Sequence, residues 1–152
     1  MADPVPFAAA FVDGPEGQRY RLPVRIYYED TDAGGIVYYV NYLKFMERAR
    51  TEFLRHLGFD HAQMIKEGRM FVIHSSQIHY REPAYLDDEL MVSVVVDELR
   101  RTHLTFRQQL HRGAKKLTEA KIKGACVNKN TMKPCTIPAK MTEALQAYIG
   151  EK

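Results

Sequence analysis

Glu29, Asp30 and Asp32 crowd three carboxylates into a short stretch directly before Gly34-Gly35, between two runs of apolar and aromatic residues. Carboxylates this close together can hold a cation, carry a phosphoryl group, attack a carbonyl, activate a water, or simply cap a turn. A calcium loop of the EF-hand kind wants acids at its first, third and fifth positions and a bidentate acid at its twelfth. Counted from Asp30, the fifth position is Gly34 and the twelfth is Asn41, so the ligand set is incomplete. A phosphoryl-transferring Asp-x-Asp wants a hydroxyl residue two places on, where Gly34 stands. Direct carbonyl chemistry needs no further partner, and no Ser-His-Asp or Cys-His arrangement lies nearby. Capping stays open for Asp30 in particular.

The elements around these acids follow from periodicity. Val24, Ile26 and Tyr28 alternate with Arg25 and Tyr27, which predicts a strand running into the acidic turn. Asn41 is an expected N-cap for a helix over about 42–57, where Phe45 or Met46, Ala49, Phe53 and Leu57 recur on one face. Gly58 suits the position just past its end, and Asp60 a cap for a short helix closing at Gly68. From Met70 the period becomes two. Strands are expected over 71–80, 90–97, 104–111 and 120–126, with hairpin turns at Arg100-Arg101 and Gly113. A last helix over 139–149 starts after Pro138. The sum is an α+β layer, an antiparallel sheet of about five strands around one long central helix. One helix covers one face, and the uncovered edges invite a second copy, so a homodimer is expected.

Composition narrows the classes. With 152 residues, 45% hydrophobic and 27% charged, the chain suits one domain. We place it over 20–150, with residues 1–19, rich in Pro and Gly, as a flexible N-terminal arm. A net charge of +3 is too small to argue for nucleic acid and suits a small polyanionic ligand. Cys126 and Cys135 give no disulfide framework and no paired metal knuckle, which points to reduced thiols. The six histidines show no ligand spacing. No metal and no cofactor are expected. No apolar run is long enough to span a membrane, and Asp3 without a basic start argues against a secretory leader, so the expected location is cytoplasmic.

Asp30-x-Asp32-x-x-Gly35-x-Val37, followed by Asn41-Tyr42 and the amphipathic helix, resembles the signature of hotdog-fold acyl-CoA thioesterases of the 4-hydroxybenzoyl-CoA type. The longer run from Val24 to Gly35, with Glu47-Arg-Ala-Arg-Thr-Glu52 behind it, is similar to the YbgC-type branch encoded beside the Tol-Pal envelope genes. The likeness extends from about Leu22 to Pro138. It implies a hotdog fold, a homodimer or dimer of dimers, and hydrolysis of acyl-CoA or an acyl-carrier-protein thioester. It makes Asp32 the catalytic carboxylate, as nucleophile or general base, with Gly35, Val37, Tyr39 and Asn41 around the substrate. By the same resemblance a backbone N–H near Met70 or Phe71 faces the oxyanion, and Arg100-Arg101 meets the coenzyme A phosphates. Two positions depart from the pattern: a glycine is replaced near Met70 and Phe71, and Tyr39 stands where relatives often carry a histidine. A hotdog dehydratase is a weaker alternative, because it wants a histidine beside its acid. An acyl-carrier-protein or membrane-biogenesis interaction module is the non-enzymatic one.

Overall fold

Residues 90 to 96 read Leu-Met-Val-Ser-Val-Val-Val, and the alternate members Leu90, Val92, Val94 and Val96 are fully buried. β-Branched side chains on every second position make a strand that packs one face against a core. In the computed structural model, which describes residues 7–14 and 17–150, this strand lies near the middle of a six-stranded antiparallel sheet. The strands are β1 (Ala10–Gly14), β2 (Gly17–Arg25), β3 (Arg69–Tyr80), β4 (Glu89–Leu99), β5 (His103–Arg112) and β6 (Lys115–Asn128). Their spatial order is β1-β2-β4-β5-β6-β3, so β1 and β3 are the two edges.

The long helix α1 (Asn41–His56) packs on β2 and β4. Tyr42, Phe45, Met46, Ala49, Phe53 and Leu54 form its buried stripe. They meet Leu104, Phe106, Leu110 and Ile122 from the sheet. Gly58 ends the helix at φ +96°, a left-handed cap that a side chain would strain. Asp60 caps α2 (His61–Lys66) by accepting from Ala62 N–H at 2.8 Å. The last helix, α3 (Ala139–Gln146), buries Met141 and Leu145. No helix among the described residues is long and apolar enough to cross a membrane.

Three expectations need correction. The sheet has six strands, because residues 10–14 and 17–19 are not a loose arm: they form a hairpin held by Ala10 opposite Arg21 and Phe11 opposite Tyr20. Phe11 packs its ring on Tyr20 and on Tyr148, both at 5.1 Å, which gives this hairpin an apolar anchor. Residues 1–6 lie outside the described residues. The strand before the acidic turn stops at Arg25, and Tyr28 is 82% exposed in a short 3-10 turn, Tyr28–Asp30. Finally, Val40 takes the cap position and Asn41 is the first helical residue.

On β6, Glu119 accepts from Lys116 at 2.7 Å and from Arg81 at 2.5 Å. These cations hold its carboxyl down to about 2, below the ordinary 4.5. A depressed carboxylate stabilises the fold above the unfolded value, and that contribution fades as pH falls toward the folded one. Both cations are partly exposed, so the contribution is about 1 kcal/mol after screening. Glu119→Gln should therefore lower the urea midpoint at neutral pH. The gap to the natural protein should narrow steadily below about pH 4.5.

Candidate active site

The acidic turn is a small hairpin built largely by its own backbone. Thr31 bridges Val37, Asp32 N–H donates to Ile36 O at 2.9 Å, and Gly35 N–H donates to Asp32 O at 3.0 Å. Gly35 closes the turn at φ +79°, a conformation that costs an L side chain but not glycine. Val37 N–H donates to Ala84 O at 2.9 Å and pins the hairpin to the loop between β3 and β4. On the helix side, Asn41 Nδ2 and Tyr38 N–H both donate to Asp30 O at 2.9 Å. Buried Tyr42 accepts from Ala84 N–H through its hydroxyl at 3.1 Å.

Asp30 and Asp32 thus have different surroundings. Asp30 Oδ2 accepts from Tyr27 N–H at 2.8 Å, which caps the 3-10 turn and makes this acid structural. Asp32 Oδ1 accepts from Gly34 N–H at 2.8 Å in an Asx turn. Asp32 is exposed and forms no ion pair among the described residues. One oxygen is oriented by the backbone and the carboxylate as a whole is open to a substrate. A Cβ at Gly35 meets no atom within 4 Å, so Gly35→Ala tests backbone strain alone. We expect a loss of about 1 kcal/mol in stability, read by thermal melting, and a fall in turnover as Asp32 loses its orientation.

Aromatic rings surround this turn. Tyr27, Tyr38 and Tyr39 are 60%, 46% and 58% exposed, so none of them is core. Tyr39 stands edge-on to Tyr38 and Tyr80, and its carbonyl accepts from Tyr80 hydroxyl at 3.3 Å. Burial, with Tyr39 and Tyr42 alongside, raises the Tyr80 pKa.

A cavity of about 240 Å³ opens elsewhere, between α1 and the sheet. Phe71, Leu104, Phe106 and Met141 give it an apolar floor, and Glu47, Arg50, Thr51 and His61 a polar rim. Arg50 Nη1 donates to Gln108 Oε1 at 2.9 Å, and Gln108 Nε2 donates to Met46 O at 3.0 Å. Burial lowers the Arg50 pKa, opposed by Glu47. This polar rim was not among the expected site residues. Its signals are Arg50, four residues after Met46 on the apolar stripe, and Gln108, in the inward row of β5.

The expected site residues fall into two groups. Asp32, Gly35, Val37, Tyr39 and Asn41 gather at the start of α1, beside Tyr80 at the end of β3. Met70 and Phe71 lie at the other end of β3, about 30 Å away at ~3.3 Å per residue. Register places Arg100-Arg101 at that far end too: Phe71 faces Cys126, and Cys126 N–H donates to Thr102 O at 2.7 Å. Arg100 pairs with Glu98 at 2.6 Å and Arg101 donates to Thr136 Oγ1 at 3.1 Å, both exposed. Within one chain, Asp32 is therefore apart from Met70, Phe71, Arg100 and Arg101. No group of His, Cys, Asp or Glu able to hold a metal occurs among the described residues.

This sheet wrapped on a central helix, with an acid at the helix start, defines a hotdog-fold protein of the thioesterase kind. A family model for the Thioesterase-like superfamily matches residues 26–145, and the chain belongs to that family. Within it the chain is 44% identical over 126 residues to the acyl-CoA thioesterase YbgC of Haemophilus influenzae, covering 82% of this chain and 93% of that one. A probable thioesterase from Bartonella henselae superposes with a TM-score of 0.75 at 32% identity, over 85% of this chain and all of the other. A 4-hydroxybenzoyl-CoA thioesterase solved with 4-hydroxybenzoyl-CoA shares the fold, with a TM-score of 0.77 at 20% identity, over 84% of this chain and 98% of that one.

Proposed function

We propose that this protein hydrolyses the thioester of acyl-CoA to free acid and coenzyme A, with Asp32 as its catalytic carboxylate. Membership of a thioesterase family supports the reaction class, and the open, backbone-oriented Asp32 supports the residue. The carboxylate attacks the carbonyl carbon, the C–S bond breaks, and water then cleaves the mixed anhydride. In the general-base variant Asp32 takes a proton from the attacking water instead. Thiolate leaves readily, so no strong acid is needed beside it. Backbone N–H groups steady the oxyanion.

The single observation that shapes the reading is the separation of the two groups along β3. That strand is an edge, 12 residues long, with Ile73 53% exposed. Antiparallel pairing of two such edges about a twofold axis sets each end against the partner's opposite end. Asp32 of one protomer then faces Met70, Phe71 and the cavity of the partner subunit. Arg100 and Arg101 of the partner subunit take the coenzyme A phosphates as charge-assisted donors. The working unit is a homodimer, itself able to pair into a dimer of dimers, acting in the cytoplasm on acyl-CoA or on an acyl-carrier protein. A thiol-release screen of the purified protein across short, long and aromatic acyl-CoAs tests this, with Asp32→Asn as the blank. Release that depends on Asp32 is expected. A protein that frees no thiol from any of them is not this enzyme, and an acyl-carrier-protein interaction role then takes precedence.

A further inference from the structure

The two cysteines of the chain lie nine residues apart and are adjacent in space. Cys126 on β6 is fully buried, and its Sγ lies 3.5 Å from Sγ of half-buried Cys135. The backbone already holds them together. Cys135 N–H donates to Cys126 O at 2.9 Å, Val127 bridges Pro134, and Asn128 N–H donates to Lys133 O at 2.9 Å. Both thiols are free. Neither has a part in the chemistry assigned to Asp32.

We propose that Cys126 and Cys135 form a peroxide-oxidisable dithiol site that closes reversibly to a disulfide. A disulfide needs its sulfurs about 2.05 Å apart, so closure asks for a movement of roughly 1.5 Å in segments already paired. The division of labour follows from burial. Desolvation, and then the neighbouring Cys135, push the Cys126 thiol up to about 12, so it stays protonated. Cys135 is the thiol that solvent reaches. Its thiolate attacks a peroxide oxygen: the S–O bond forms, the O–O bond breaks, and hydroxide leaves and takes a proton as water. The Cys135 sulfur is oxidised by two electrons to sulfenic acid. Cys126 sulfur then displaces that oxygen: S–S forms, S–O breaks, and the Cys126 proton departs in a second water. The balance is two thiols and one hydrogen peroxide to one disulfide and two waters. A thiol reductant reverses it.

Closure has a structural consequence near the cavity. Phe71 faces Cys126 in register and lines the cavity floor. Cys135 leads directly to buried Ile137 and to Met141, which lines the same floor. Oxidation therefore ties down the segment carrying Met141. Its effect on turnover rests on the thioesterase reading; the disulfide itself does not.

The test treats the reduced protein with equimolar hydrogen peroxide, then measures free thiols under denaturing conditions, intact mass and melting temperature. Both thiols should vanish together, the mass should fall by two hydrogens, and dithiothreitol should restore both. The oxidised form should melt several degrees higher, because a cross-linked loop loses fewer states on folding. Cys126→Ala should leave a Cys135 sulfenic acid that dimedone traps, and Cys135→Ser should leave Cys126 untouched by peroxide. The proposal is overturned if wild-type Cys135 advances to sulfinic acid while Cys126 stays a thiol. It is equally overturned if both thiols survive or if the only disulfide formed joins two chains. None of these readouts uses an acyl-CoA, so their failure is separate from failure of the thioesterase assignment.

Discussion

Asp32→Asn should lower kcat for thioester hydrolysis by about 10³-fold and leave KM within a few fold, in line with removal of a base or nucleophile that acts only on the reacting carbon. The substitution is nearly isosteric. The amide oxygen can still accept from Gly34 N–H, so the turn that Asp32 closes at 2.8 Å should survive. Asp32 has no ion partner among the described residues to be stranded, and the melting temperature should change little. Steady-state kinetics with one short-chain and one aromatic acyl-CoA, together with a melting curve, check both halves. A variant that keeps more than a tenth of wild-type kcat removes Asp32 from the mechanism.

The second large effect is rescue between two crippled proteins. Arg100→Ala/Arg101→Ala should raise KM for acyl-CoA at least tenfold, since two charge-assisted phosphate contacts are lost. Co-expressed with Asp32→Asn, it should recover about a quarter of wild-type activity at low substrate, because half of randomly paired twofold dimers are mixed and each mixed dimer holds one intact site. A site made by one chain alone gives no such recovery, since neither variant then has a complete set of parts. Activity at or below the sum of the two variants assayed singly therefore excludes the composite site. Light scattering on the same samples reads the dimer directly.

Much of this was legible in the residues. The acidic turn and its glycines, the apolar stripe of α1, and the four strands after Met70 are short-range patterns, and each element forms where its pattern lies. Gly58 and Asp60 show the caps their types suggest. The β1–β2 hairpin was hidden because Gly14, Pro15 and Gly17 read equally well as punctuation in a loose arm; Phe11 against Tyr148 decides the matter from far along the chain. Asn41 has the composition of a cap, and its side chain is spent instead on Asp30 O. Tyr28 continues an apolar alternation but turns outward once the chain enters the 3-10 turn. The separation of Asp32 from Arg100-Arg101 depends on strand order, which no local spacing encodes.

Gln108 carries a consequence for how such an enzyme adapts to different substrates. It is fully buried, and its amide joins a carbonyl in the middle of α1 to the guanidinium one turn further on. Sliding or rolling the helix by a step would strand several desolvated polar groups at a cost of about 1–3 kcal/mol each. The helix is thus pegged to the sheet like a ruler fixed at its midpoint. The position of the hollow along its flank is set by construction. Families built on this frame would change acyl preference by recarving the walls of the hollow, leaving the ruler where it is.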